Sequence, residues 1–165
     1  MIQPTIKDSA APLAEAGFAL LRVDQTRLVV PRDDIRILEL TIDVDRNEPP
    51  ARGVGWIAFG TRRCPVYCPS QEIGWMAAVA GDRQVCAVVA AEQRVFGLLC
   101  SEAGLIRNDE IVFQEISPAM AAPGSPIRRL AIYQNALACV SSAADLLADI
   151  GSVPAHDNLL LAEVA

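Results

Sequence analysis

The sequence predicts an all-β protein closed by one short C-terminal helix, and three observations carry that prediction. Residues 83–105 hold two apolar runs, Val85–Ala90 and Val95–Cys100, separated by Ala91-Glu92-Gln93. β-Branched runs of this kind suit strands buried on both faces, although periodicity alone does not exclude a helix, and the polar break is short enough for a hairpin loop. Leu38, Leu40, Ile42 and Val44 alternate with Glu39, Thr41 and Asp43, the pattern of a strand with one wet face. No helical segments of about 10–15 residues alternate with the strands, which argues against a parallel βαβ sheet. Two small β-barrels or a β-sandwich remain.

The elements follow in chain order. Residues 1–16 carry Pro4, Ser9, Pro12 and several alanines and read as a loose arm. Phe18–Val23 is the first strand, Asp24-Gln25-Thr26 its turn and Arg27–Val30 the returning strand. Pro31 ends that strand, because proline has no N–H for a ladder, and Pro31–Asp34 can begin one short helical turn. Leu38–Val44 is the third strand. Residues 45–53, DRNEPPARG, form a polar loop. Val54–Phe59 and Arg62–Cys68 resume β character, with Pro65 marking an edge or a bulge. Residues 69–82 break the pattern and read as a loop with one helical turn. They are the best boundary between two halves, about 17–70 and 83–151.

The hairpin of residues 83–105 opens the second half. Gly97, inside its second run, points to a bulge or a close backbone approach. Ile111–Ile116 is a further short strand, and residues 117–126 are loop by composition. Ile127–Ile132 and Ala136–Val140 pair across Tyr133-Gln134-Asn135. Ser142 with Asp145 forms a capping box that starts the helix; Leu146, Leu147 and Ile150 supply its apolar face and Gly151 its end. Residues 152–165 are a tail.

Composition narrows the function classes. Of 165 residues 52% are hydrophobic and only 5% aromatic, enough for a sizeable and mainly aliphatic core. The net charge of −6 argues against nucleic acid and anionic membranes, which require clustered Lys and Arg. No apolar run reaches the ~18 residues of a spanning helix, and the first 17 residues do not resemble a secretory signal. A cytoplasmic protein without membrane insertion is expected.

Catalytic motifs are largely missing. Gly53-Val54-Gly55-Trp56-Ile57-Ala58 fits a relaxed dinucleotide pattern, but Pro49-Pro50 precedes it and strand-like residues follow, whereas phosphate binding needs a strand–turn–helix. The single histidine, His156, lies in the tail. Asp33-Asp34 and Asp43/Asp45 read as solvated edges. Cys86, Cys100 and Cys139 sit among aliphatic residues as small hydrophobes. Cys64 and Cys68 would stand roughly 13 Å apart along a strand, too far for a disulfide unless the backbone turns. No metal site or cofactor is expected. Arg62-Arg63 and Arg128-Arg129 are paired arginines in an acidic chain; they fit either a solvent-facing strand or an interface, where Arg is enriched.

Several stretches together resemble the CheW-like domain, the coupling module of bacterial chemotaxis arrays, over about residues 17–151. Phe18–Leu38 is similar to the family's opening hairpin and short helical turn. Gly55–Val66 resembles its strand pair with a glycine and a later proline. Val85–Ser101 is similar to its central hairpin, with Gly97 at the glycine of the second strand. Leu137–Leu147 resembles the last strand running into the closing helix. The chain departs from the pattern at Gly60-Thr61, where the family has an Arg-Gly turn, and at Ile37, where an acid is usual. Cys68 and Ser101 stand where aspartates are expected.

The resemblance implies two five-stranded SH3-like barrels around a shared apolar seam, in a divergent single-domain member with no enzyme activity. It implies an adaptor coupling a CheA-type histidine kinase, through its regulatory domain, to the tip of a methyl-accepting receptor or to type IV pilus twitching motility. The corresponding partner-binding residues are Ile35, Leu38, Arg62 and Arg63. Two other classes stay open on the residues alone: a small-molecule-binding β-barrel, and an enzyme using Cys64 or Cys68, whose thiolate the neighbouring arginines would favour.

Overall fold

The computed structural model describes residues 16–117, 119 and 124–151. The expected arm (1–16, apart from the start of the first strand) and tail (152–165) lie outside the described residues. Twelve strands and one α-helix occur among the described residues. β1 (Ala16–Val23) and β2 (Thr26–Pro31) form the opening hairpin, with Leu21 opposite Leu28 and Asp24 at φ 57° in the turn. Pro31 leads into the expected short turn, a 3-10 helix at Arg32–Asp34. β3 (Ile35–Leu40), β4 (Gly55–Phe59), β5 (Arg62–Pro69) and β6 (Trp75–Met76) follow. β7 (Val85–Ala91) and β8 (Arg94–Cys100) are the central hairpin, paired from Val85–Cys100 to Ala91–Arg94. β9 (Glu102–Arg107), β10 (Ile111–Glu115), β11 (Arg129–Tyr133), β12 (Ala136–Val140) and α1 (Ala143–Gly151) complete the chain.

The strands form two sheets, one ordered β10-β11-β12-β2-β1-β9 and the other β3-β7-β8-β5-β4, with β6 beside β5. The first sheet is rolled. Phe18 on β1 and Phe113 on β10 lie four strand spacings apart in the sheet, about 19 Å if it were flat, yet their rings are 5.0 Å apart. The second closes through the chain that follows β3: Asp45 and Trp56 exchange backbone hydrogen bonds of 2.8 Å. Each barrel has its own core, Val29, Ile106, Ile111 and Ala131 in one and Val44, Ile57, Val66, Val88 and Leu99 in the other. A third cluster joins them: Leu21, Leu28 and Val30 meet Tyr67, Val89, Phe96 and Leu98 beneath Leu146 and Ile150 of α1. This is the shared apolar seam.

The sheets draw strands from both sides of residues 69–82. β1 and β2 join β9–β12, whereas β7 and β8 join β3–β5. The crossing point is residue 101, where Ser101 N–H donates to Arg22 O at 2.7 Å and passes the chain from β8 to β1's edge. β9 is therefore a separate strand, where the sequence reading ran the hairpin on to residue 105. The first sheet thus has six strands rather than five.

Two local expectations are corrected. The strand read from Leu38 to Val44 ends at Leu40, and Thr41–Asp43 is a 3-10 turn. This corner is what lets Val44 and Asp45 reach β4. It also reverses the faces: Thr41 is buried, while Leu38, Leu40 and Ile42 are 48%, 58% and 84% exposed. Residues 69–82 contain no helical turn; Ser70–Gly74 is a tight turn held by a 2.8 Å Ser70 N–Gly74 O bond, and β6 follows. Pro65 lies opposite Trp56, one residue before the parallel pairing of Val66 with Gly97 begins, so its missing donor falls where β8 has not yet arrived. At Gly97 a Cβ would meet Cys86 Sγ at 2.7 Å and Val66 Cγ2 at 3.1 Å, the close approach expected there. Gln134 and Asn135 both have positive φ, as a two-residue type I′ hairpin requires.

A buried cation fastens the seam. The Arg83 guanidinium is fully enclosed and forms a two-pronged pair with Asp24, Nη1 to Oδ1 and Nη2 to Oδ2 at 3.0 Å. It also reaches Asp82 at 3.0 Å and Pro69 O at 2.9 Å. One side chain thus ties the β1–β2 turn to the end of β5. The hydrogen bonds from Arg83 hold the Asp24 carboxyl below the usual carboxylate range.

Candidate interaction surface

The expected partner-binding residues fall on two parts of the second barrel. Arg62 and Arg63 open β5, whereas Ile35 and Leu38 are on β3, with β7 and β8 between the two strands in the sheet. Along the register Leu38 is level with Ala87, Leu98 and Tyr67, four residues from Arg63. The structure does not set the pairs side by side. It links them through the chain itself, which runs from Leu40 round the Thr41–Asp43 corner to Asp45.

Asp45 meets Arg63. The Arg63 guanidinium lies 4.6 Å from the Trp56 ring centroid and its Nη2 is 3.4 Å from Asp45 Oδ2. Asp45 Oδ1 accepts from Asn47 N–H at 2.9 Å. That backbone donor, and after it Arg63, keeps the Asp45 carboxyl below its ordinary range. Trp56 is pinned by donating Nε1–H to Glu48 O at 2.8 Å. Arg62 donates to Gln93 O at 3.3 Å. Around them is an open groove of about 400 Å³, lined by Asp43, Asp45, Trp56, Thr61, Arg62 and Arg63. Tryptophan and arginine are residue types enriched at protein interfaces.

Ile35 and Leu38 differ in kind. Ile35 is half-buried and packs against the seam, while Leu38 is exposed, as are Ile37 on the other face of β3, Leu40, and Ile42 in the following turn. Trp56, Asp45, Leu40 and Ile42 were missed from sequence. The Leu38–Val44 alternation predicts one inward apolar face, whereas Leu38, Leu40 and Ile42 are exposed and Val44 is the one of the four that is buried.

The other paired arginines are engaged internally. Arg128 bonds Asp145 at 2.9 Å and so holds α1, drawing the Asp145 carboxyl down, and Arg129 lies 4.1 Å from the Phe113 ring centroid. Ser142 caps the helix, its Oγ accepting from Asp145 N–H at 3.1 Å, while the Asp145 carboxylate bonds the Ser142 hydroxyl and not its backbone N–H, so the expected box is half formed.

The cysteines among the described residues are inward-facing. All five cysteines are free. Burial pushes the thiols of Cys86 and Cys100 up to about 12 and raises those of Cys64 and Cys139 as well. Such thiols carry little thiolate at neutral pH, the reverse of an activated nucleophile. Gly53 lies in a turn closed by a 2.9 Å bond to Pro50 O, and strand β4 follows it, so no helix N-terminus faces the glycines. Among the described residues no group of His, Cys, Asp and Glu has metal-ligand spacing, and no helix is long and apolar enough to cross a membrane.

The architecture is that of paired, interleaved β-barrels sharing one apolar seam under a C-terminal helix. It is the CheW-like fold: the structure is similar to that of the scaffolding protein TtCheW from Thermoanaerobacter tengcongensis, with a TM-score of 0.60. The match covers 77% of this chain and 88% of that one at 11% sequence identity. No protein-family model matches the sequence, and no curated protein matches it.

Proposed function

We propose that this chain is a non-enzymatic adaptor of chemotaxis-type signal transduction in the cytoplasm, coupling a CheA-type histidine kinase to methyl-accepting receptors or to a pilus motility system. The observation that carries the reading is the CheW-like double barrel, shared with a protein described as a scaffold. The exposed Leu38 and the Trp56–Arg63 corner support it as material for docking protein. Cys64 and Cys68, the cysteines of the enzyme alternative, are both buried, and burial raises the Cys64 thiol, which speaks against that reading.

In this reading Arg62, Arg63 and Leu38 contact the kinase regulatory domain or the receptor tip, and Ile35 supports the strand beneath. The test is a calorimetric titration of both partner fragments from the same genome against wild type and the Arg62→Ala/Arg63→Ala double variant. The double variant should keep its melting temperature and lose ~1–3 kcal/mol of binding, as expected where an arginine is a hot spot. Equal binding by both proteins would remove the arginines from the site. No binding by wild type to either fragment would remove the adaptor role and leave the fold.

A further inference from the structure

We propose that residues 157–164, which follow α1 in the chain, form a second helix that lies back along α1 in the groove beside it. The proposal goes beyond the adaptor reading and does not depend on it.

The groove is set by α1. That helix turns Ala143, Leu146 and Ile150 into the seam, a stripe at helical spacing. The neighbouring stripe is Ala144, Leu147, Ala148 and Gly151, again at helical spacing. It is left uncovered: Leu147 is half-buried and the other three are exposed. This stripe is one wall of an open groove of about 410 Å³. The other wall is the β7–β8 turn, with Ala91 and Arg94 at its base and Glu92 within it. Ala91 and Leu147 also pack against the seam, so the groove adjoins the core. The small side chains of Ala144, Ala148 and Gly151 let a second helix approach closely, because interaxial distance depends on the side chains at the contact.

The occupant follows from connectivity. Gly151 ends α1 and also lines the groove, so the chain leaves the helix at the groove itself. Pro154 stands three residues on. It disfavours helical backbone at Val153, so α1 does not run straight on and the chain turns. Residues 152–156 then make a connection of ordinary length between antiparallel helices. Asp157 and Asn158 are residue types that start helices, and Leu159-Leu160-Leu161-Ala162-Glu163-Val164 follows. In a helix Leu160, Leu161 and Val164 share one face. Asp157 to Val164 would span about 10 Å, the same as Ala144 to Gly151.

Tethering and charge favour this segment over a separate partner. A short connection holds it at an effective concentration on the order of millimolar, so modest apolar contact is enough to seat it. Among the described residues Arg94 forms no ion pair. The segment brings two acids, Asp157 and Glu163, and no lysine or arginine.

The test is nuclear magnetic resonance on the full chain with labelled methyl groups. Methyl contacts should join Leu160, Leu161 or Val164 to Ala144 or Ala148. The amides of residues 160–164 should exchange at least ~10-fold more slowly than those of an unfolded segment. Ala148→Arg obstructs the groove at an exposed helix position, and Leu160→Ser/Leu161→Ser removes the apolar face of the segment. Each should abolish the contacts and return the exchange to the unprotected rate, with the amides of β7 and β8 unchanged. Ala144→Arg makes the same test if Ala148→Arg does not fold. A mixture of differently labelled chains separates docking within one chain from docking between copies. Unprotected amides at 160–164 in the wild type, protection that survives arginine in the groove, or contacts found only between chains would each overturn the proposal.

Discussion

Removing Asp24 should damage this protein more than removing the arginine it pairs with. Arg83 has no solvent-exposed side-chain surface, whereas Asp24 is 31% exposed and Asp82 60%. Asp24→Ala leaves a guanidinium enclosed in the seam with Asp82 and the Pro69 carbonyl as its remaining partners. An uncompensated buried charge of this kind typically costs about 3–5 kcal/mol. Arg83→Met leaves carboxylates that water can reach, and a methionine that fills much of the vacated space. Its cost is the lost hydrogen bonds and the stranded Pro69 carbonyl, about 1–3 kcal/mol. The double variant should therefore be more stable than Asp24→Ala alone. Urea unfolding followed by circular dichroism measures all three. For a chain of this size the Asp24→Ala loss corresponds to roughly 6–20 °C in Tm. If Asp24→Ala costs less than ~1 kcal/mol, or less than Arg83→Met, the cation is not confined as described and the seam is fastened by apolar contact alone.

Three further outcomes are expected. Gly97→Ala should destabilise by about 1–3 kcal/mol, the cost of overpacking, since its Cβ falls 2.7 Å from Cys86 Sγ; combining it with Cys86→Ala should recover part of that loss, and an unchanged urea midpoint for the single variant would refute the contact. In a thiol-titration time course Cys86 and Cys100 should react last and in step with global unfolding, because burial raises both to about 12; rapid labelling of either in the native protein would contradict this. Asp24 and Asp145 are depressed by Arg83 and Arg128, so their stabilisation is present in full above the unfolded value near ~3.9 and is lost as pH falls through the folded values. Stability should therefore decline from about pH 5 downward, and Asp24→Asn should flatten that decline; an identical slope in the variant would show that the pair does not contribute.

The elements themselves were legible from local chemistry. Proline at 31, the turn at residues 24–25, the glutamate–glutamine break at 92–93, the long aliphatic runs and the Ser142–Asp145 cap each act within a few residues. Apart from the third strand, β6 and β9, their positions in the structure differ from the sequence reading by two residues or fewer. The paired arginines were also visible as a feature, and Arg62-Arg63 does lie at an open corner.

What a chain of local signals cannot hold is which strands become neighbours. Nothing in residues 16–31 says that they pair with Glu102–Arg107 and lie beside Ala136–Val140, because those pairings are chosen by which apolar faces cover one another after the chain has folded. The same reason explains the inverted third strand. Leu38, Leu40, Ile42 and Val44 have the period of a buried face, but closing the barrel requires a corner at Thr41–Asp43, which buries Thr41 and Val44 and leaves the other three outside. It explains Arg83 as well. An arginine beside an aspartate in a polar loop reads as solvated surface; only the meeting of the β1–β2 turn with the end of β5 encloses it and makes Asp24 its counter-charge. Sequence by itself determined most of the strands, the helix cap and the aliphatic core. The interleaving of the barrels, the exposure of Leu38, Leu40 and Ile42 and the buried ion pair were decided by tertiary structure, since burial and charge pairing are properties of surfaces brought together from distant parts of the chain.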